Sequence, residues 1–251
     1  MITDPLFYLA AIPAVVIVGL AKGGFVGLGI LGLPLMALTV SPVQAAAIML
    51  PILIVQDAVG LYAFRKHLNK RLLAITLTGA LVGVILATFT AAAVSEAAVR
   101  LAVGLIAVVF ALNWWLNLAK QAAGERPGGV AWGLLWGGIS GFTSFISHAG
   151  GPPFQVYVLP LQLPRDVLVG TTVWFFAAVN IMKVAPYVWL GQFTNENLMT
   201  SLALMPVAIV STMAGVWLVR RVDSAAFYRL VYGLLVLVGF KLAYDGLVAL
   251  I

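Results

Sequence analysis

The chain has 251 residues, 63% hydrophobic and 9% charged, with a mean hydropathy of +1.11; this excludes an ordinary soluble protein and reads as a polytopic membrane protein throughout. The net charge of +6 fits basic cytoplasmic loops better than nucleic-acid binding, since no basic face is present to host a polyanion. The absence of cysteine excludes disulfides, cysteine metal sites and thiol catalysis.

The first apolar run, Phe7 to Leu20, lacks a basic n-region and a small-residue cleavage site, so it is expected to be a retained helix. It forms an arm over about 6–21, followed by a glycine-rich stretch and a second arm to about 39. Full spans are expected near 43–64, 72–93 and 99–118. A polar linker, Lys120 to Gly129, follows. The second half has an arm at 131–147, a break at 148–153, a short arm at 154–163, and spans near 166–190, 198–219 and 227–249. The seven tryptophans lie mostly near segment ends, as an interfacial belt places them. The spacings Gly19 to Gly23 and Gly79 to Gly83 suit close helix packing.

The halves match in order. Tyr62 aligns with Tyr187, Ser95 with Ser224, Arg100 with Arg229 and Gly104 with Gly233. The chain therefore divides into a first transmembrane repeat (1–119), a cytoplasmic linker (120–129) and a second repeat (130–251). Arg65, Lys66, Lys70 and Arg71 mark a cytoplasmic loop, and Lys120 and Arg126 lie on the same side two spans later. The loop from Gly191 to Asn197 has no lysine or arginine and falls outside only if each pair of arms is a re-entrant hairpin. The expected fold is all-α: two inverted repeats, each a broken hairpin plus three spans. Two facing hairpins then meet near the bilayer midplane, the architecture of an alternating-access carrier.

The stretch Ser144 to Pro153 places Ser, His, two Gly and two Pro inside an apolar run. Backbone groups freed at membrane depth must be buried in protein or line a wet cavity, and helix N-termini there suit an anion. Ser144, Ser147, His148 and Gln155 offer polar groups, while Gly150 and Gly151 permit close approach to a ligand. His148 has no neighbouring ligands for a metal. Two readings of it stand: a buried histidine satisfied by a backbone carbonyl, or an anion donor and proton-coupling group. Lys22, beside Gly23 and Gly24, lies roughly 16 residues and about 24 Å into its arm. It either snorkels to an interface or, with the glycine amides, binds an oxyanion. Asp57 and Lys183 lie inside apolar spans at nearly equivalent places in the two repeats. They are expected to pair, either to lock the halves or to couple transport, with Asn180 one turn from Lys183.

The motifs LAKGGFVGLGILGLPLMAL and SHAGGPPFQVYVLPLQLPRDVLVGTTVWFFAAVNIMKVAPYVWLGQF together resemble the TauE/SafE sulfite and organosulfonate exporters, also called the toluene-sulfonate uptake permease family. The likeness covers nearly the whole chain, although AAAIMLPILIVQD replaces the usual Gly-Thr-Ser start of the first long span. The resemblance implies a multi-pass plasma (inner) membrane permease for sulfur-containing anions, with the two glycine-rich motifs lining the pathway. Membrane potential favours anion efflux by about 2.3 kcal/mol per charge per 100 mV, so an exporter of a dianion can run uncoupled while an importer needs protons or sodium. An anion channel is the nearest rival, and a structural subunit of a membrane complex is another. An enzyme is disfavoured, since no catalytic carboxylate pair or nucleophile elbow appears. No cofactor is expected; the partners are a small anion and the bilayer, and a homodimer is compatible with the sequence.

Overall fold

The computed structural model describes residues 1–23, 28–64, 67–93, 95–116, 129–218 and 225–251, with backbone alone at 28, 92, 114, 165 and 225–232. The described part is built of helices. The first half contains α1 (Pro5–Lys22), a 3-10 turn (Leu28–Leu31), α2 (Gly32–Met36), α3 (Pro42–Phe64), α4 (Lys70–Ala93) and α5 (Glu96–Trp115). The second contains α6 (Val130–Ser147), α7 (Gly151–Val158), a 3-10 turn (Leu159–Leu161), α8 (Arg165–Trp189), α9 (Asn195–Leu218) and α10 (Ala225–Val248). Among the described residues, seven helices are long and apolar enough to cross a membrane. Gly24, Arg65, Lys66, Lys120, Arg126, Arg220 and Arg221 lie outside the described residues, as does the linker apart from Gly129.

Helix starts fall slightly earlier than hydropathy predicts, and α1, α3, α4, α5 and α9 are set by polar caps. Asp4 accepts from the Leu6 N–H, with Pro5 beginning α1. Ser41, Asn69, Ser95 and Thr194 likewise accept from backbone N–H groups in the first turns of α3, α4, α5 and α9. Such residues satisfy N–H groups that have no partner within the helix, but they count against a hydropathy window.

The second break is shorter than the expected 148–153. It spans 148–150, and its turn is made by His148 in the left-handed region (φ 51°), not by a glycine. Pro152 and Pro153 occupy the first turn of α7, where a missing N–H costs nothing and the fixed φ is already helical. With eight residues, α7 is about 12 Å long and cannot cross a hydrocarbon core of about 30 Å.

Packing pairs the elements in a regular way. α1 lies along α9 and α6 along α4, while α3 packs on α8 and α9, α8 on α4, and α5 on α10. Small residues let these backbones touch. A Cβ on Gly83 would lie 2.0 Å from the Gly138 carbonyl oxygen, and one on Gly141 2.3 Å from that of Ala80. Gly19 and Gly23 abut Ser211 and Gly215 in the same manner on the α1–α9 crossing, so both Gly-xxx-Gly spacings serve close packing. Leu86, Phe89, Val109, Val210 and Phe240 point outward, a surface that lipid covers and water would not tolerate in such quantity. Trp115, Trp132, Trp189 and Trp217 are exposed near helix ends, as a belt requires. Trp136 and Trp174 depart from it, with indole nitrogens buried inside the protein.

Candidate functional site

The ends of α1 and α6 meet the middles of α3 and α8 around a cavity of about 100 Å³. Helical spacing explains the lining. Val169, Thr172, Val173, Phe176 and Asn180 form one stripe of α8, and Lys183 lies one turn further on. Met49 and Leu53 come from α3, Val18, Ala21 and Lys22 from the last turn of α1, and Ser144, His148, Gly151, Pro152 and Gln155 from the second hairpin.

Two charged clusters flank this space. Lys22 Nζ lies 2.5 Å from Asp57 Oδ1, and Asn180 Nδ2 donates to Asp57 Oδ2 at 2.5 Å. Lys22 also sits 5.4 Å from the Phe176 ring centre, within cation–π range. On the other side Lys183, fully buried, donates to Ser144 O (3.1 Å), Ser144 Oγ (3.2 Å) and His148 Nδ1 (2.8 Å). Three acceptors match the three hydrogens of an ammonium. His148 Nε2 lies 3.0 Å from the Ala46 carbonyl. A carbonyl can only accept, so Nε2 carries the ring hydrogen and Nδ1 receives the lysine. Both ring nitrogens are therefore occupied, and His148 is the carbonyl-satisfied histidine rather than a free anion donor.

The Asp57–Lys183 ion pair expected from the sequence is not the one formed. Asp57 reaches across to Lys22 at the end of α1, and Lys183 to neutral acceptors at the end of α6 and in the turn after it. Lys22 and Asp57 compensate each other, whereas Lys183, behind Ser144 and His148, has no carboxylate partner among the described residues. The stretch 24–27, Gly-Phe-Val-Gly, adds no ionisable side chain. Burying a charge against neutral groups alone is unfavourable unless something else compensates it.

Other expected contacts are also redistributed. Gly23 is a packing glycine against Gly215, and Gly150 packs against Ser140 and Ser144. Ser147 returns its hydroxyl to the Thr143 carbonyl. None of these three faces the cavity, because each points into a neighbouring backbone. Gly151 does face it, and a Cβ there would meet only the Gln155 amide at 3.9 Å. Gln155 Nε2 is buried on the cavity wall with no partner among the described residues. Thr172, Phe176 and the Ala46 carbonyl escaped sequence reading. The first two lie on the cavity stripe of α8, a periodicity legible only once the facing residues were known.

A cavity among membrane-crossing helices, lined by Lys22 and by an amide without a partner among the described residues and backed by the buried Lys183, has the anatomy of a polytopic solute transporter. A family model described as sulfite exporter TauE/SafE matches residues 11–242. The chain belongs to the TauE/SafE sulfite exporter family, a family of membrane transporters and not of enzymes. No match was found among curated proteins or among solved structures.

Proposed function

We propose that this protein is a secondary carrier that exports a small sulfur-containing anion, such as sulfite or an organosulfonate, and that the cavity between the hairpins is its binding site. The observation that carries the reading is a lysine without a carboxylate partner behind a polar cavity wall: Lys183 is bound to neutral groups, and Gln155, whose buried Nε2 has no partner among the described residues, lines about 100 Å³ of space with Lys22 and Ser144. That space is well above the roughly 10–15 Å³ that admits one water, which suits one small oxyanion. Its ligands are Lys22, Ser144 Oγ–H, the Gly151 backbone and Gln155, with Lys183 supplying charge.

Inverted repeats at 1–119 and 130–251, joined by a linker at 120–129, account for the packing. Exchanging the halves turns the α1–α9 contact into α6–α4 and the α3–α9 contact into α8–α4, while α3–α8 and α5–α10 map onto themselves. The short α7 supports re-entrant hairpins, and the basic segments 65–71 and 120–129 then lie in the cytoplasm of an inner-membrane protein. Alternating access follows from rocking one repeat against the other around the cavity. Outward-directed flux of an anion needs no coupling ion, because the membrane potential drives it.

The test is thermal stability of purified protein against sulfite, thiosulfate, taurine, sulfoacetate and sulfolactate, with chloride and acetate as controls. A ligand at 100 times its Kd adds about 2.7 kcal/mol, and Gln155→Leu should remove the shift. No shift with any sulfur anion rejects the assignment.

A further inference from the structure

Asp57 does not border the cavity, yet it fixes the cavity's charge. Its two oxygens are held by Lys22 and Asn180, both of which do border it, and the residue is 3% exposed. The other carboxylates among the described residues, Asp4, Glu96, Asp166, Glu196 and Asp245, lie at caps, in first turns or near helix ends. Asp57 is therefore the described carboxylate that offsets the cavity's Lys22, and its removal raises the charge around the cavity by one unit.

We infer that Asp57 selects the charge of the transported anion, favouring a monoanion over a dianion; the inference rests on the reading of the cavity as the anion site. Attraction to the site grows in proportion to the ligand's charge, whereas the continuum cost of removing an ion from water grows as its square. A monoanion neutralises the single excess charge. A dianion overshoots, leaving a net negative charge in a low-dielectric interior after a larger dehydration penalty. Without Asp57 both lysines are uncompensated, and the same cavity matches two negative charges. If Asp57 merely held Lys22 in place, its loss would weaken all anions alike and leave their ratio unchanged.

The experiment titrates the thermal stability of the full chain with methanesulfonate, a fixed monoanion, and with sulfate, a dianion at neutral pH. Wild-type protein should bind methanesulfonate at least tenfold more tightly than sulfate, and Asp57→Asn should move that ratio at least tenfold toward sulfate. Folded Asp57→Asn protein with a ratio within threefold of wild type overturns the inference and leaves the anion site standing. Wild-type protein that binds neither anion overturns the inference, and the anion site falls with it if sulfite, thiosulfate and the organosulfonates also give no shift. If Asp57→Asn does not fold, Thr172→Lys adds the same unit of charge on the cavity wall at a residue that holds neither Asp57 nor the anion. It must produce the same shift, and its failure to do so overturns the inference.

Discussion

Lys183→Met separates the electrostatic role of this side chain from a structural one. The substitution keeps the length of an unbranched side chain and removes the ammonium. Of its three acceptors, the Ser144 carbonyl keeps the His148 backbone N–H at 3.1 Å, and the Ser144 hydroxyl can turn toward another acceptor. His148 Nδ1 alone is left unpaired, a loss of about 1–3 kcal/mol. Relief from burying a charge without a counter-ion offsets this, so the variant should fold with a Tm close to that of wild type. Binding should respond differently. Taking an anion roughly 6 Å from the ammonium and an effective dielectric of about 20, the lost attraction is ~2.8 kcal/mol, or about a hundredfold in Kd. Titrated thermal shifts of wild type and variant with the best sulfur anion measure both quantities at once. A folded Lys183→Met protein whose Kd stays within threefold of wild type would refute the claim that this charge holds the anion.

Other substitutions probe the scaffold. Gly141→Val places atoms against the Ala80 carbonyl, where even a Cβ would sit at 2.3 Å; it should lower stability by about 1–3 kcal/mol or more, read as a reduced Tm and poor recovery on size exclusion. Gly129→Ala, with nothing within 4 Å of the added carbon, should leave Tm unchanged in the same assay. Tyr187→Phe loses the hydroxyl bond to the Phe145 carbonyl at 2.9 Å and should cost about 0.5–1.5 kcal/mol while transport persists. His148→Gly eases a left-handed residue by about 1 kcal/mol but removes the bond to Ala46 and the acceptor for Lys183. A net loss of about 1–3 kcal/mol is expected, and a rise in Tm would show that backbone strain dominates there.

Much of this molecule is legible in its sequence because lipid imposes a simple rule. Long apolar runs had to be helices, and every expected span has a helix over it. Boundaries were less legible: Ser41, Asn69 and Thr194 belong to helix caps by hydrogen bonding, while hydropathy counts them as loop. The prolines of the second break were visible but misplaced in effect, since Pro152 and Pro153 start α7 and His148 makes the turn. At the site, the polar residues themselves stood out against the apolar background. Their partners did not. Asp57 and Lys183 occupy similar positions in the two halves, yet helix rotation directs one to Lys22 and the other to Ser144 and His148. Spacing along one chain carries no information about that rotation. Gly23 seats a neighbouring helix, as its Gly-xxx-Gly spacing indicated, but the positions of Gly150 and Ser147 were not legible, because a small residue at a break serves equally to admit a ligand or to seat a neighbouring helix.

The most direct test of a carrier at this cavity is counterflow in proteoliposomes. Radiolabelled sulfite or organosulfonate outside should enter faster when unlabelled substrate is preloaded inside and should saturate, and Lys183→Met should need about a hundredfold more substrate to do either. Flux that is linear in concentration and indifferent to preloading contradicts alternating access and indicates a channel.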